Sequence, residues 1–323
     1  MPLVSQVTNV SLAIALLTCT SWTAAQPFPS RAIRIIVPFT AAGGTDILAR
    51  SLAQKMTESL GQQLIVDNRA GANSIIGTEI VAKSPADGYT LLFTTNIITI
   101  NPWLHRKLPY NSDTDFAPIT LAGSAPTLLA VHPSIPVRTV RELVTLAKSQ
   151  PGQLSLAAAG SGTPSHLSGE FLKQTANIDL LIVQYKGTGA SLADLVGGQV
   201  AMAFGSLPGL APLVKSGKLR AIGVSGAKRS PSLPETPTIM ETYPEFDVVI
   251  WYGLFAPART PREITTRLHG EAVKALANEE VAQRLAAQGF DPGGTTPEQF
   301  SEIIRRDMKL WQKVISKAKI KVE

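Results

Sequence analysis

The sequence predicts an α/β protein of two lobes, each a mostly parallel sheet flanked by helices. Three observations lead there. Short apolar strands alternate with helical segments, the pattern of parallel sheets covered on both faces. The strand–loop–helix unit restarts in the middle of the chain. The length, 323 residues, exceeds one small core and suits two of ordinary domain size.

In order, Ile33 to Phe39 reads as the first strand and leads through Gly43-Gly44-Thr45 into a helix from about Asp46 to Leu60, stopped by Gly61. Leu64 to Val66 follows, then Asn68-Arg-Ala-Gly71 and a helix to about Lys83. Tyr89 to Phe93 is the next strand, ending in Thr94-Thr95-Asn96. The unit restarts with a strand over Leu154 to Ala159, the loop Gly160-Ser-Gly-Thr163 and a helix from Pro164. Leu180 to Tyr185 then leads through Gly187-Thr-Gly189 into a helix ending at Gly197-Gly198. Strands at Val200 to Phe204 and Leu219 to Val224 complete the second sheet.

After a strand at Val248 to Phe255 only helices are expected. Two of them open with Thr260-Pro-Arg-Glu263 and Thr296-Pro-Glu-Gln299, both of capping-box form with proline at the first helical position. A late helical return means the chain crosses between lobes twice, at about Leu121 to Val131 and Val248 to Ala256. The expected organisation is a leader over 1–25, lobe 1 over 27–124 and 251–323, and lobe 2 over 125–250.

Composition narrows the function. Hydrophobic residues are 44% and charged residues 17% of the chain, as in a folded globular protein. The single cysteine, Cys19, lies in a leader that has no charged side chain and an apolar run, Val10 to Thr18, of signal-peptide length. Thr23-Ala24-Ala25 suits cleavage before Gln26, although the positive start usual in such leaders is missing. A processed chain would hold no thiol, which excludes disulfides, a cysteine nucleophile and cysteine-ligated metal. The net charge of +6 is concentrated in the tail, from Arg305-Arg306 through Lys309, Lys313, Lys317, Lys319 and Lys321. Ile303, Ile304, Trp311, Val314 and Ile315 interleave with these cations at helical spacing, so the charge reads as the solvated face of an amphipathic helix, not a nucleic-acid surface.

Ligands of parallel α/β sheets bind beyond the carboxyl ends of the strands. Three loops of one kind belong there: Ala42-Gly43-Gly44-Thr45, Gly160-Ser161-Gly162-Thr163 and Gly187-Thr188-Gly189. Each opens a helix whose first N–H groups lack partners and whose dipole favours an anion. Such loops on both lobes, facing one cleft, suit a ligand with two carboxylates or a carboxylate and another polar end. No phosphate loop, dinucleotide fingerprint, nucleophile elbow or zinc-protease motif occurs, and no cofactor or metal site is expected. His166, in the first turn after Thr163, reads either as a residue shaping the loop or as a base beside Ser161 and Ser165. Asp46 reads as a helix-start acid that would meet an amine or a water if it faced the ligand. Trp251 and Tyr252 could floor the cleft or belong to the core.

The motifs Val37-Pro-Phe-Thr-Ala-Ala-Gly-Gly-Thr-Asp46, Asn68-Arg-Ala-Gly-Ala72, Asp87-Gly-Tyr-Thr90 and Gly160-Ser-Gly-Thr-Pro-Ser-His166, in that order, resemble the Bug family, the extracytoplasmic receptors of tripartite tricarboxylate transporters. Tyr185-Lys-Gly187, Gly197-Gly-Gln199, Leu233-Pro-Glu-Thr-Pro-Thr238, Trp251-Tyr-Gly253 and Ala256-Pro257 continue the similarity toward Trp311. The resemblance implies a type II periplasmic-binding-protein fold. It also implies capture of a small carboxylate through backbone amides and water, and delivery to membrane permease subunits by a monomer in the periplasm. Carried over by position, ligand contacts fall at Gly43, Gly44 and Thr45, at Ser161, Gly162, Thr163 and His166, and at Gly187, Thr188 and Ala190; Asp46 and Asn96 complete the set. Ala42 and Asn73-Ser74 depart from glycines usual in the family. An enzyme on the same fold is disfavoured because no nucleophile–base–orienter set assembles, whereas a receptor serving a membrane signalling partner would use the same cleft.

Overall fold

The computed structural model describes residues 28–41, 43–185, 188–318 and 320. The expected leader, Cys19, the cleavage point at Gln26, Ala42, Lys186, Gly187, Lys319 and Lys321 lie outside the described residues. The chain divides into Met1–Ser30 and a body, Arg31–Glu323; all that follows concerns the body.

Its first sheet starts with β1 (Ile33–Val37), a run whose apolar side chains are buried. Helix α1 (Gly44–Leu60) buries Leu48, Leu52 and Met56, spaced one helical turn apart, and ends at Gly61. β2 (Leu64–Asn68), α2 (Ile75–Ala82) and β3 (Thr90–Thr95) follow, with β1 paired in parallel to both β2 and β3. After α3 (Ile97–Leu104) comes β4 (Phe116–Val131), a strand of 16 residues.

The second half repeats the scheme. Helix α4 (Val140–Ser149) precedes β5 (Ser155–Ala158), α5 (Pro164–Ala176), β6 (Leu181–Gln184), α6 (Thr188–Val196), β7 (Met202–Ser206), α7 (Leu207–Lys215) and β8 (Arg220–Val224). β5 pairs in parallel with β6 and β7. The chain returns through β9 (Val249–Pro257) to α8 (Arg262–Leu276), α9 (Glu279–Ala287), the two-residue β10 (Asp291–Pro292) and α10 (Pro297–Ala318).

The two crossing strands join the lobes and make both sheets mixed. β9 lies antiparallel between β3 and β4. β4 pairs with β9 from Phe116 to Pro126, then passes between β7 and β8 from Thr127 to Val131, antiparallel to both. Every described strand pair that excludes β4 and β9 is parallel. The expectation of helices alone after β9 is corrected by β10, which adds two antiparallel residues beside Gly123 and Ser124.

One core holds Ile36, Leu92, Trp251, Phe255, Phe300 and Ile304; another holds Leu129, Leu156, Phe204, Ile222 and Phe246. Helix α10 belongs to both, since Trp311, Val314 and Ile315 pack in the second. Gln174 on α5 also donates to the Val314 carbonyl at 3.0 Å. On the other face of α10, Arg305, Arg306, Lys309, Lys313 and Lys317 are exposed, as an amphipathic helix requires.

Trp251 is core: its Nε1 donates to the buried Asp307 carboxylate at 2.6 Å. Burial pushes the pKa of Asp307 up, against the indole hydrogen bond and the nearby Arg306. Of the two capping boxes expected, the one at Thr296 forms, with Gln299 N–H donating to the Thr296 hydroxyl at 3.2 Å and Thr296 N–H to the Gln299 side chain at 3.0 Å. The one at Thr260 does not. Its hydroxyl donates back to the Pro257 carbonyl, and Pro261 takes the cap position of α8 instead of the first helical one.

Candidate ligand-binding site

The carboxyl ends of β1 and β3 carry the first group of candidate residues, and those of β5 and β6 the second. On the first edge, Gly43 caps α1 with extended backbone and offers no side-chain acceptor, so the opening N–H groups of the helix gain no partner from the cap. Gly44 is a close-approach position: a Cβ there would lie 3.2 Å from the Tyr252 hydroxyl and 3.3 Å from the Phe290 ring. Those two rings meet edge-on at 5.4 Å and form the wall behind the helix start. Thr45 and Asp46 are buried.

Asp46 is already satisfied. Its carboxylate accepts from Arg50 Nε and from Asn68 Nδ2, each at 3.0 Å, and Arg50 also reaches Asn68 Oδ1 at 2.9 Å. The acid that would repel an anion at the start of α1 is thus neutralised one turn along the same helix. Asn96, at the end of β3, is buried; its amide donates to the Val249 carbonyl at 3.3 Å and its Oδ1 has no hydrogen-bond partner.

The second edge is built around His166. Thr163 caps α5, its hydroxyl accepting from His166 N–H at 3.4 Å and donating to the Gly160 carbonyl at 2.7 Å. Ser165 accepts from Ala159 N–H at 3.0 Å. His166 Nδ1 accepts from Gly162 N–H at 2.9 Å, which leaves the ring proton on Nε2. Gly162 has a φ of +71°, and a Cβ there would overlap the Leu104 side chain at the end of α3. This contact draws the two edges together, because α3 begins directly after Asn96. Ser161 is exposed at the tip of the loop and engages no other described residue. Thr188, Gly189 and Ala190 open α6 as exposed residues, held to β6 by the Tyr185 hydroxyl donating to Asp194 at 2.7 Å. Neither α5 nor α6 has an acid in its first turn.

Burial, aided by the Lys173 ammonium, pushes the pKa of His166 down to about 4. Burial pushes that of neighbouring Glu170 up. The ring is therefore neutral at pH 7, free to accept from Gly162 and poorly suited to act as a base. Because its folded pKa lies below its unfolded one, folding excludes a proton. The contribution of His166 to stability is complete above about pH 6.5 and falls as pH drops toward 4, by about 3 kcal/mol in the limit. Urea unfolding between pH 4 and 7 is expected to show this slope in the parent and not in His166→Asn; equal slopes would contradict the assignment.

Sequence reasoning named the loops but not Asn68 as the residue that ties β2 to α1, nor Arg50 as the cation that neutralises Asp46. The i,i+4 spacing of Asp46 and Arg50 was a readable signal. The Asn68 contact, 22 residues from Asp46, left none. Among the described residues, no cluster of three or more His, Cys, Asp or Glu could hold a metal, and no helix is long and apolar enough to cross a membrane.

Comparison with known proteins gives this geometry a context. The sequence family described as the tripartite tricarboxylate transporter family receptor matches residues 48–320. A Rhodopseudomonas palustris protein solved with adipate is 35% identical, covering 91% of this chain and 99% of its own, with a TM-score of 0.82. The periplasmic binding protein BugD is 33% identical over 91% of this chain and 99% of its own, with a TM-score of 0.78. MatC from R. palustris, solved with bound malate, is 31% identical over 89% of this chain and 100% of its own, also at 0.78. Shared sequence and shared fold have one reading: the chain belongs to the Bug family, the periplasmic solute-binding receptors of tripartite tricarboxylate transporters.

Proposed function

We propose that the protein captures a small dicarboxylate between its lobes, one carboxylate at the start of α1 and the other at the starts of α5 and α6, and delivers it as a monomer to the membrane permease subunits. Gly43, Gly44, Thr45 and Asn96 line the first wall, with Asp46 neutralised behind them. Ser161, Gly162, Thr163, Thr188 and Ala190 line the second, and His166 fixes its loop. The observation that carries this reading is that helix N-termini free of uncompensated acid open at the strand ends of both sheets. Such ends attract anions through unpaired N–H groups and the helix dipole. The relatives solved with adipate and malate supply the ligand class.

The same proposal assigns lobe 1 to residues 27–124 and 251–323 and lobe 2 to 125–250, and has residues 1–25 direct export and be removed. Thermal unfolding of the purified protein tests the ligand class. Adipate or malate at about a hundred times its dissociation constant stabilises by about 2.7 kcal/mol, which raises the melting temperature by several degrees, whereas hexane-1,6-diol leaves it unchanged. Equal shifts with the diol, or none with any dicarboxylate, would overturn the proposal.

A further inference from the structure

We propose a second ligand site, for a small amphipathic organic anion, at the junction of the two cores where α3 and α10 run side by side. A cavity of about 510 Å³ opens there, within the range of small-molecule sites. Its apolar wall comes from both halves of the protein: Trp103 packs against the second core, Leu108 and Met308 against the first. None of the helix-start loops of the cleft lines it.

Its rim is cationic. Arg106, Arg305 and Lys309 are exposed there against one carboxylate, Asp113. Arg305 Nε is held by the Ser301 carbonyl at 3.2 Å, while Arg106 and Lys309 have no ion-pair partner among the described residues. Two buried donors in the lining residues, Trp103 Nε1 and Ser112 Oγ, also lack hydrogen-bond partners. Buried polar groups are ordinarily satisfied, so these are partners the protein itself does not supply. An apolar wall, a rim with excess positive charge and two orphan donors fit a ligand with one acidic head and a hydrocarbon body. They do not fit a dicarboxylate, whose second charge would meet the apolar wall. The inference does not rest on the reading of the cleft.

Octanoate is the probe, with octanamide (the same body without charge) and sulfate (charge without a body) as controls in calorimetric titrations of the full protein. Octanoate is expected to bind saturably and to lose about tenfold or more in affinity in Arg106→Gln/Lys309→Gln. Both positions are exposed, so the melting temperature of the unliganded double variant should match the parent. Octanamide and sulfate should bind at least about tenfold more weakly than octanoate. The proposal is overturned if octanoate shows no saturable binding, if sulfate or octanamide binds equally well, or if octanoate affinity survives the rim substitutions and falls instead in Gly43→Leu, which would put the anion between the lobes.

Discussion

Gly162→Val is expected to destabilise the protein by roughly 2–5 kcal/mol, combining overpacking of about 1–3 kcal/mol with about 1–2 kcal/mol for a side chain in the left-handed region. The position has three constraints at once. Its φ of +71° disfavours any side chain, a Cβ would overlap Leu104, and its N–H is committed to His166 Nδ1. A β-branched residue violates the first two, and the backbone shift that relieves them breaks the third. Because Leu104 sits on α3 and Gly162 on the loop before α5, the damage falls on the contact that would bring together the two walls of the proposed cleft. Urea unfolding and adipate titration should both register it. A loss of stability under about 1 kcal/mol with unchanged affinity would mean that the loop is not held as described.

Gly43→Leu is expected to leave the fold largely intact and to weaken dicarboxylate binding by about tenfold to a hundredfold, the worth of one or more hydrogen bonds to a charged group. Its φ of −81° and ψ of 167° are open to any residue, and a Cβ would meet only the Thr40 carbonyl, at 3.6 Å. The cost in stability is that of a poor N-cap, about 1 kcal/mol or less relative to glycine. In the proposed site, however, the added side chain would stand over the N–H groups that an anion must reach. Calorimetric titration with adipate and malate, beside the melting temperature of the unliganded variant, separates the two effects. Parent-like affinity would move the first wall of the site away from the start of α1.

How much of this was legible depended on the range of the interaction. The helix starts at Gly43, Thr163 and Thr188 follow from local chemistry, glycine and hydroxyl before an apolar run, and the structure opens helices at each. The segment Leu121 to Val131 was readable as a crossing because it is apolar and long. Its antiparallel pairing with β7, β8 and β9 was not, since periodicity reports burial and not the direction of a partner. The two-residue β10 is too short to leave a pattern. Thr260 and Thr296 carry similar four-residue signatures, yet only Thr296 forms the box, because Thr260 finds the Pro257 carbonyl first. In the site, His166 was readable as a loop-shaping residue from its place in the first turn. The neutralisation of Asp46 by Asn68 was not, because it joins residues on different elements.

The central claim is that the lobes close on a dicarboxylate. We place the hinge for such a motion on β4, where pairing passes from β9 at Pro126 to β7 at Thr127. Helix α10 packs in both cores and is expected to limit its amplitude. Small-angle scattering with and without saturating adipate, with binding verified by calorimetry on the same sample, tests this most directly. The account predicts a smaller radius of gyration in the bound state, and a smaller change in Gly43→Leu at the same adipate concentration. An unchanged radius in the parent protein with adipate demonstrably bound would contradict it.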